Sequence, residues 1–515
     1  MINVILNKAE FEYDIYGIVK AFYSKEEVEC YYTNDVDMTS KNVASTDHSI
    51  DKADKNAKFW LDVKFLDEEN KIRMKFFEVL SDGAKKEINK CEFETFSDDR
   101  KKTKDNLKKN VYKLMSEASK KELPWGTLTG IRPTKIPMKL LQAGKSDKEV
   151  FDEMKSKYLC SDEKINLSIE VAKEEIDILK DVDYENGYSL YIGIPFCPST
   201  CLYCSFTSYP LGIWKNRVDE YLDALEKEID FTAEKCKHKK LNSVYFGGGT
   251  PTTLLPHQME RLIKKVKSSF DMSHCVEFTV EAGRPDSITR EKLEVLRKNG
   301  IDRISINPQT MNQETLKLIG RHHTVEQTIE SFKLARELGF SHINMDLIVG
   351  LPGETIDDVR HTMEVIKELK PDNVTVHSLA IKRAARLTVF KEHYEKMKMI
   401  NTSEHMKMCE KYCREMGLVP YYLYRQKGMA GNMENVGYCQ KGKSGVYNIL
   451  IMEEKQTIMA LGAGASTKLV LNEYNQDGNR KIARVENVKD VKNYLERIDE
   501  MIERKRTKME EVKWH

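Results

Sequence analysis

Three cysteines within eight residues are the strongest chemical signal in this sequence. Cys197, Cys201 and Cys204 follow directly after a run of residues that is typical of a β-strand. Soft metals prefer thiolate ligands, and three thiolates on one loop can hold one face of a [4Fe-4S] cluster. Such a cluster has one iron without a protein ligand, so that iron can bind a cofactor.

A structural zinc site is the alternative interpretation of these cysteines. Zinc needs a fourth ligand, and Cys236 and His238 at the end of the next predicted helix are candidates. The adjacent His322 and His323 also suggest a metal pair. However, the side chains of successive residues point in different directions, so these two histidines are poorly placed to bind one metal ion. A polar loop is the favoured interpretation.

The composition of the chain excludes several classes of protein. A chain of 515 residues is longer than a single hydrophobic core usually supports, so we expect two or three domains. Lys plus Arg number 83 and Asp plus Glu number 82, so no overall charge attracts nucleic acid or an anionic membrane. No window approaches the roughly 20 apolar residues of a membrane helix, and no secretory signal begins the chain, which predicts a cytoplasmic protein. The 11 cysteines then indicate reduced thiols, with Cys409 and Cys413 a half-buried apolar pair on a helix.

Strands and amphipathic helices alternate from residue 188 onward, which predicts βα units and a parallel sheet. Six units are fewer than the eight of a complete barrel, so we expect a partial barrel. Glu281 and Asp346 end two of the strands, at the edge of a barrel where ligand-binding groups collect. The predicted strands are 188–196, 243–247, 276–281, 303–307, 343–349 and 373–378.

The regions on either side of these units lack this alternation. The pattern of apolar residues predicts two strands around a turn in residues 59–79 and a helix in residues 104–122. Residues 124–137 form a connector rich in Gly and Pro, whereas the segments 420–424 and 446–452 read as β-like runs among helices.

The predicted fold class is α/β: a partial (βα)6 TIM-like barrel with an amino-terminal α+β domain and a carboxy-terminal, mostly helical domain. The predicted regions are an α+β domain, a connector with helices, the partial barrel and a covering domain, over residues 1–122, 123–185, 186–385 and 386–515.

The cysteine motif and a glycine run resemble the radical S-adenosylmethionine (SAM) superfamily. The run GGGTP at 247–251 follows the second predicted strand. The motifs YIGIPFC, YFGGGTPT, SINPQTMN, IGRHHT and MDLIVGLPGET resemble, in this order, the oxygen-independent coproporphyrinogen III dehydrogenases. The amino-terminal region and WGTLTGIRPTKI resemble the longer, HemZ-type members of that family. The resemblance implies that the open iron binds SAM and that a reducing electron cleaves SAM to a 5′-deoxyadenosyl radical.

The same resemblance implies the site residues. Cys197, Cys201 and Cys204 match the cluster ligands, and Tyr191 matches a catalytic tyrosine near the sulfonium of SAM. The glycines lack Cβ and so let backbone approach the cofactor closely. Arg321 could hold a carboxylate in two places. The residues matching positions that hold one or other of two SAM molecules are Tyr191, Tyr203, Gly248, Gly249, Thr250, Glu281, Gln309, Arg321, Asp346 and, through its backbone, Ala380.

The implied reaction belongs to porphyrin and heme biosynthesis. An oxidoreductase of this family decarboxylates two propionates of coproporphyrinogen III and gives protoporphyrinogen IX without oxygen. The implied partners are this tetrapyrrole substrate, an electron donor such as flavodoxin or ferredoxin, and an electron acceptor, and we expect a monomer. Lys382, Arg383 and Arg386 follow the sixth predicted strand and are candidates for holding the substrate carboxylates.

Three departures from the family pattern keep other functions open. Ser205-Phe206 replaces a Gly-Cys pair, Gly193 replaces a histidine, and Pro308 replaces a small aliphatic residue. A heme-binding chaperone that carries a cluster is one alternative, because such relatives also lack the Gly-Cys pair. A radical SAM enzyme acting on another tetrapyrrole, such as heme, is a second. The basic stretch at 100–110 suggests nucleic-acid binding, but a solvated helix face explains it better.

Overall fold

A computed structural model describes residues 1–24, 26–33, 48–130, 132–380, 398–426, 429, 433–475 and 478–514. The chain forms two compact units, Met1–Ile169 and Glu170–His515. Within these described ranges, no helix has the length and apolar character needed to cross a membrane. The finer division into four regions stays a prediction.

The first unit contains a five-stranded sheet in the order β2-β1-β3-β4-β5. The predicted pair of strands within residues 59–79 is confirmed as β3 and β4, which are antiparallel. The predicted helix is confirmed as α2, which begins earlier than expected because the Asp99 side chain caps it by accepting from the Lys102 N–H. The strands are β1 (Ile2–Leu6), β2 (Val28–Tyr32), β3 (Phe59–Leu66), β4 (Lys71–Val79) and β5 (Lys85–Glu94), and the helices are α1 (Glu12–Phe22), α2 (Arg100–Ser119), α3 (Lys135–Gln142) and α4 (Asp147–Tyr158).

The second unit is built on an eleven-stranded sheet. Helix α5 (Asp162–Leu179) crosses the boundary between the units. The elements up to the sixth barrel strand are β6 (Gly187–Ile194), β7 (Phe196–Cys197), β8 (Tyr209–Pro210), α6 (Leu211–Trp214), α7 (Val218–Cys236), β9 (Lys240–Gly248), α8 (Pro256–Ser269), β10 (Glu277–Glu281), α9 (Arg290–Lys298), β11 (Arg303–Ser305), α10 (Gln313–Leu318), α11 (Val325–Glu337), β12 (His342–Val349), α12 (Ile356–Leu369) and β13 (Asn373–Ser378). The elements that follow are α13 (Ser403–Glu415), β14 (Val419–Tyr424), β15 (Asn435–Cys439), α14 (Val446–Glu453), β16 (Thr457–Leu461), β17 (Ser466–Tyr474), β18 (Arg480–Glu486), α15 (Val491–Glu496) and α16 (Ile498–Glu511).

All six predicted barrel strands are confirmed. They are β6, β9, β10, β11, β12 and β13, which pair in parallel in their order along the chain. Because the strands are parallel, the loops that follow their carboxyl ends meet at one edge of the sheet. The α/β class and the arrangement of six βα units are therefore as the sequence predicts.

Carboxy-terminal strands extend the sheet on both sides of these six. Strand β16 pairs in parallel with β6, and β15 pairs antiparallel with β13. The predicted run at 420–424 is confirmed as β14, but the predicted β-like run at 446–452 is wrong, because it forms α14. The Glu277 carboxylate accepts from the N–H groups of Val446 (2.5 Å) and Tyr447 (3.4 Å), so a distant side chain satisfies the first turn of this helix.

A buried ion pair fastens the carboxy-terminal helix to the barrel. Lys505 of α16 and Glu228 of α7 are in contact, and both side chains are 0% exposed. The Glu228 carboxylate also accepts from Tyr494 (2.7 Å) and Asn487 (2.7 Å), and the Lys505 ammonium donates to the Ala460 carbonyl (2.7 Å). These hydrogen bonds satisfy both charges without water, as a buried pair requires.

Replacing Lys505 by Met is expected to lower the free energy of unfolding by about 3–5 kcal/mol, because it leaves the Glu228 carboxylate buried and unpaired. The double variant Glu228→Gln with Lys505→Met should recover much of this loss. Lys508→Met is the control, since Lys508 pairs with Glu511 on the exposed face of the same helix. Urea denaturation followed by circular dichroism measures all three, and a Lys505→Met protein as stable as wild type contradicts this account.

Candidate functional site

One cavity of about 430 Å³ lies at the carboxyl edge of the six barrel strands. Its volume is within the range of small-molecule sites. It brings together every site residue that the sequence predicts in the described part of the chain, namely Tyr191, Cys197, Cys201, Tyr203, Cys204, Gly248, Gly249, Thr250, Glu281, Gln309, Arg321, Asp346 and Ala380. These residues are separated by up to 189 positions in the chain, and the parallel order of the strands is what unites them.

Cys197 is the last residue of β7, Cys201 and Cys204 lie on the loop between β7 and β8, and all three have free thiols. The backbone N–H of Leu202 donates to the Ile319 carbonyl (2.9 Å), and the Ser199 hydroxyl donates to the Gly320 carbonyl (2.8 Å). The turn after α10 therefore holds the cysteine loop in place.

Thr250 and Arg284 donate hydrogen bonds to the thiols of Cys197 and Cys201. Thr250 Oγ1 lies 3.4 Å from Cys197 Sγ, and Arg284 Nη1 lies 3.5 Å from Cys201 Sγ. Burial raises the pKa of Cys197 to about 11. Burial also raises the pKa of Cys201, but the neighbouring cations Arg321 and Arg284 lower it by more, so this pKa lies below its usual value. The environment of Cys201 thus favours the thiolate that a metal cluster requires.

The glycine run at the end of β9 packs tightly against the backbone that precedes Cys197. Gly248 has a φ of +105°, which favours glycine. A Cβ at Gly249 would lie 2.7 Å from the Phe196 carbonyl oxygen and 2.9 Å from that of Ile194. Side chains are therefore excluded here, and backbone itself forms this wall of the cavity.

Three stacked tyrosines form the wall beside Glu281. The ring centroids of Tyr191 and Tyr245 are 6.3 Å apart, and those of Tyr245 and Tyr447 are 4.5 Å apart. The Tyr245 hydroxyl donates to Glu281 Oε1 (2.5 Å). Burial nevertheless raises the pKa of Glu281 to about 7, with a further contribution from the Asp346 charge. Glu281 can therefore change its charge near neutral pH.

Asp346 is the second carboxyl group of the cavity, and its surroundings shift its pKa in the opposite direction to that of Glu281. Asn344 Nδ2 donates to Asp346 Oδ1 (2.7 Å), and His377 Nε2 lies 3.7 Å from Asp346 Oδ2. Burial raises the pKa of Asp346, but His377 and these hydrogen bonds lower it by more, so the pKa is below its ordinary value. Two neighbouring carboxyl groups with pKa values displaced in opposite directions are typical of functional sites.

Two buried polar atoms of the cavity have no hydrogen-bond partner among the residues described. They are Gln309 Oε1 and Arg321 Nε. Gln309 also has a φ of +65°, a strained backbone conformation that is common at binding sites. The terminal nitrogens of Arg321 donate to the carbonyls of Asn307 (2.5 Å) and Gly283 (3.0 Å), so they position loops in addition to facing the cavity. Because unpaired buried polar groups are costly, these two atoms indicate a polar ligand.

Several lining residues are absent from the sequence-based prediction. Tyr245 could have been found, because it lies two residues before Gly247 on the same face of its strand. Arg284 and His377 belong to loops and strand ends near predicted residues, but carry no motif of their own. Tyr447 and Met452 belong to α14, which the sequence does not place beside the barrel.

Other predicted residues have different outcomes. Lys382, Arg383 and Arg386 lie outside the described residues. His322 is exposed whereas His323 is buried, so the two side chains do not face one site.

The position of Cys236, a candidate fourth ligand, does not support a zinc site at the three cysteines. Cys236 lies beside Tyr188 near the amino end of β6, whereas the three cysteines follow its carboxyl end. Cys409 and Cys413 lie on α13, as predicted, but both are fully buried and not half-buried.

Comparison with known proteins agrees with this arrangement. The family model of the radical SAM superfamily matches residues 191–366. The oxygen-independent coproporphyrinogen-III oxidase-like protein HemZ of Bacillus subtilis is 45% identical over 392 residues, which cover 75% of this chain and 77% of that protein.

Two shorter matches each cover 38% of this chain. The heme chaperone HemW of Bacillus subtilis is 40% identical over 38% of this chain and 50% of its own length. The oxygen-independent coproporphyrinogen III oxidase of Escherichia coli is 35% identical over 38% of this chain and 42% of its own length. Given the long match to HemZ and the matching family model, the chain belongs to the radical SAM superfamily and, within it, to the family of oxygen-independent coproporphyrinogen-III oxidase-like proteins.

Proposed function

We propose that this protein is a radical SAM oxidoreductase that decarboxylates two propionates of coproporphyrinogen III and so gives protoporphyrinogen IX without oxygen. The observation that carries the proposal is the single cavity that joins a three-cysteine loop, a glycine wall and unpaired polar atoms to an aromatic wall. The relative that matches three quarters of the chain is named as a coproporphyrinogen-III oxidase-like protein, which supports the same reaction.

The residues of the cavity fit the cofactors of the superfamily, a [4Fe-4S] cluster and SAM. Three free thiols on one loop suit a cluster that keeps one iron open, and Thr250 and Arg284 donate to two of them. The exposed backbone of the glycine run and the carboxyl group of Glu281 suit the amino group of SAM. Gln309 Oε1 and Arg321 Nε are buried and unpaired among the described residues, and suit the polar groups of one or two SAM molecules.

When bound, these cofactors would supply a 5′-deoxyadenosyl radical and with it the abstraction of a hydrogen atom from a propionate carbon. Each propionate then loses CO₂ and one electron and becomes a vinyl group, so the reaction requires an electron acceptor as well as a donor such as flavodoxin or ferredoxin. The chain's own residues bind and orient: the tyrosine stack and α14 form a wall that excludes water from the reacting carbon.

The same wall suits a flat macrocycle. Ile451 and Met452 of α14 and Ile348 and Leu379 of the barrel line the cavity with apolar surface. Of the described lining residues, Arg284 and Arg321 are the arginines, and both are held by neighbouring acceptors. The expected carboxylate contacts through Lys382, Arg383 and Arg386 therefore stay a prediction, as do a monomeric state and a cytoplasmic location.

The test is an anaerobic assay of the reconstituted protein with coproporphyrinogen III, SAM and a strong reductant. We expect protoporphyrinogen IX together with 5′-deoxyadenosine. Formation of 5′-deoxyadenosine without protoporphyrinogen would indicate that the substrate is another tetrapyrrole.

A heme chaperone is the second candidate function. It is favoured by the 40% identity to HemW over 38% of this chain and by Ser205-Phe206 in place of the Gly-Cys pair. In the same assay, tight heme binding without cleavage of SAM under strong reductant would establish this function instead.

Cys201→Ala is expected to lose the cluster, because it removes one of the three proposed iron ligands. Anaerobic reconstitution of the wild-type protein should give about four irons per chain. Cys413→Ala is the control, since this buried cysteine lies on α13 outside the cavity, and should retain iron. Iron analysis and the absorption spectrum measure both variants; zinc without iron in the wild-type protein would contradict the proposal.

Gly249→Ala is expected to weaken SAM binding about tenfold or more, because the added Cβ displaces backbone of the proposed SAM wall. Gly212→Ala is the matched control, since a Cβ there has no neighbour within 4 Å. Equilibrium dialysis of SAM against the reconstituted variants measures the affinity. Wild-type affinity in Gly249→Ala would show that this glycine does not line the SAM site.

A further inference from the structure

Arg284 connects the loop after β10 to the cysteine loop, and its side chain is only 4% exposed. Its five N–H groups all have acceptors. Nε and Nη2 donate to the two carboxylate oxygens of Asp286 (3.0 and 2.7 Å). Nη1 donates to the Ser199 carbonyl (3.1 Å) and to Cys201 Sγ (3.5 Å), and Nη2 also donates to Ser199 Oγ (3.0 Å).

This arrangement fixes the direction of the guanidinium group. Asp286 binds one edge of the planar fork in two places, so the remaining N–H groups face the cysteine loop. Ser199 in turn donates to the Gly320 carbonyl (2.8 Å), which connects the same contacts to the turn after α10. Arg284 is therefore held in position from both sides.

A permanent cation at this place has an electrostatic consequence. Charges interact more strongly in a buried site than in water, because solvent screens them less. One-electron reduction of an iron–sulfur cluster adds negative charge without making or breaking a bond to the protein. A cation that donates to a ligand sulfur stabilises the reduced cluster more than the oxidised cluster, and so raises the reduction potential.

Arg321 provides a useful comparison. It is the other buried arginine of the cavity, and its charge and a side-chain hydrogen bond also act on Cys201. Its terminal nitrogens, however, donate to backbone carbonyls of Asn307 and Gly283, outside the cysteine loop. Thr250 donates to Cys197, but it carries no charge. Arg284 combines a positive charge and a hydrogen bond to Cys201 with direct contacts to Ser199 of the cysteine loop.

We propose that Arg284 is a positioning residue for the cluster: it anchors the cysteine loop through Ser199 and raises the reduction potential of the cluster through Cys201. The proposal rests on the cluster assignment given above and is independent of which tetrapyrrole is the substrate. It identifies a chemical reason for an arginine that belongs to none of the recognised motifs.

The experiment compares Arg284→Gln, which removes the charge, with Arg284→Lys, which keeps the charge but lacks the planar guanidinium group and its several N–H donors. Arg290→Gln is the control, because Arg290 is an exposed arginine of α9 that pairs with Glu337. The reduction potential is measured in the reconstituted protein without SAM by a redox titration followed by electron paramagnetic resonance. Release of iron to a chelator is measured in parallel.

For Arg284→Gln we expect about a tenfold lower ratio of reduced to oxidised cluster at a given solution potential, which corresponds to a potential about 59 mV more negative. Iron release should be faster, because contacts to Ser199 are weakened. Arg284→Lys should stay near the wild-type potential while releasing iron faster, and Arg290→Gln should match wild type in both measurements.

Wild-type behaviour of Arg284→Gln in both measurements overturns the proposal. An equal negative shift in Arg284→Lys also overturns it, because packing rather than charge would then be the cause. If Arg284→Gln retains too little iron for titration, the potential of Arg284→Lys decides: a wild-type value supports the role of charge, and a large negative shift rejects it. A wild-type protein that binds no iron at all instead rejects the cluster assignment.

Discussion

Parallel pairing of six consecutive strands is the constraint on which the rest of this structure depends. In a parallel sheet all carboxyl ends lie on one side, so the segments that follow β6, β9, β10, β11, β12 and β13 converge. The cysteine loop, the glycine wall, Gln309 and Ala380 lie at these strand ends or in the segments that follow them. Glu281 is the last residue of β10, whereas Asp346 lies within β12 and not at its end as the sequence predicts. Their proximity needs no other cause than the strand order.

Within the cavity, the second requirement is to hold polar and charged groups that are largely or partly removed from water. Each group is stabilised in its own way: Glu281 by a tyrosine hydroxyl, Asp346 by an amide and a histidine, and Arg284 by a carboxylate and the cysteine loop. The result is a set of pKa values displaced in different directions within one cavity. Such differences let neighbouring groups serve different purposes at one pH.

The carboxy-terminal segments complete the site through a few buried charges. Glu277, on the barrel strand β10, caps α14 and so positions the apolar wall and Tyr447. Glu228 and Lys505 fasten α16 to the barrel beside β16, the strand that pairs with β6. Long-range contacts between charged groups and backbone therefore determine where these segments lie.

The sequence by itself determined the six strands and the three-cysteine loop, and it singled out Glu281 and Asp346 on two of the strands. These features depend on local spacing: apolar alternation within each strand and three cysteines within eight residues. Resemblance to the family added the other lining residues, the cofactors and the reaction. Only the tertiary structure decided that residues 446–452 form a helix, because the Glu277 carboxylate that caps it is about 170 residues away in the chain. It also decided that Arg284 faces Cys201 and that Tyr245 and Tyr447 stack, since contacts between distant segments leave no periodic signal in the sequence.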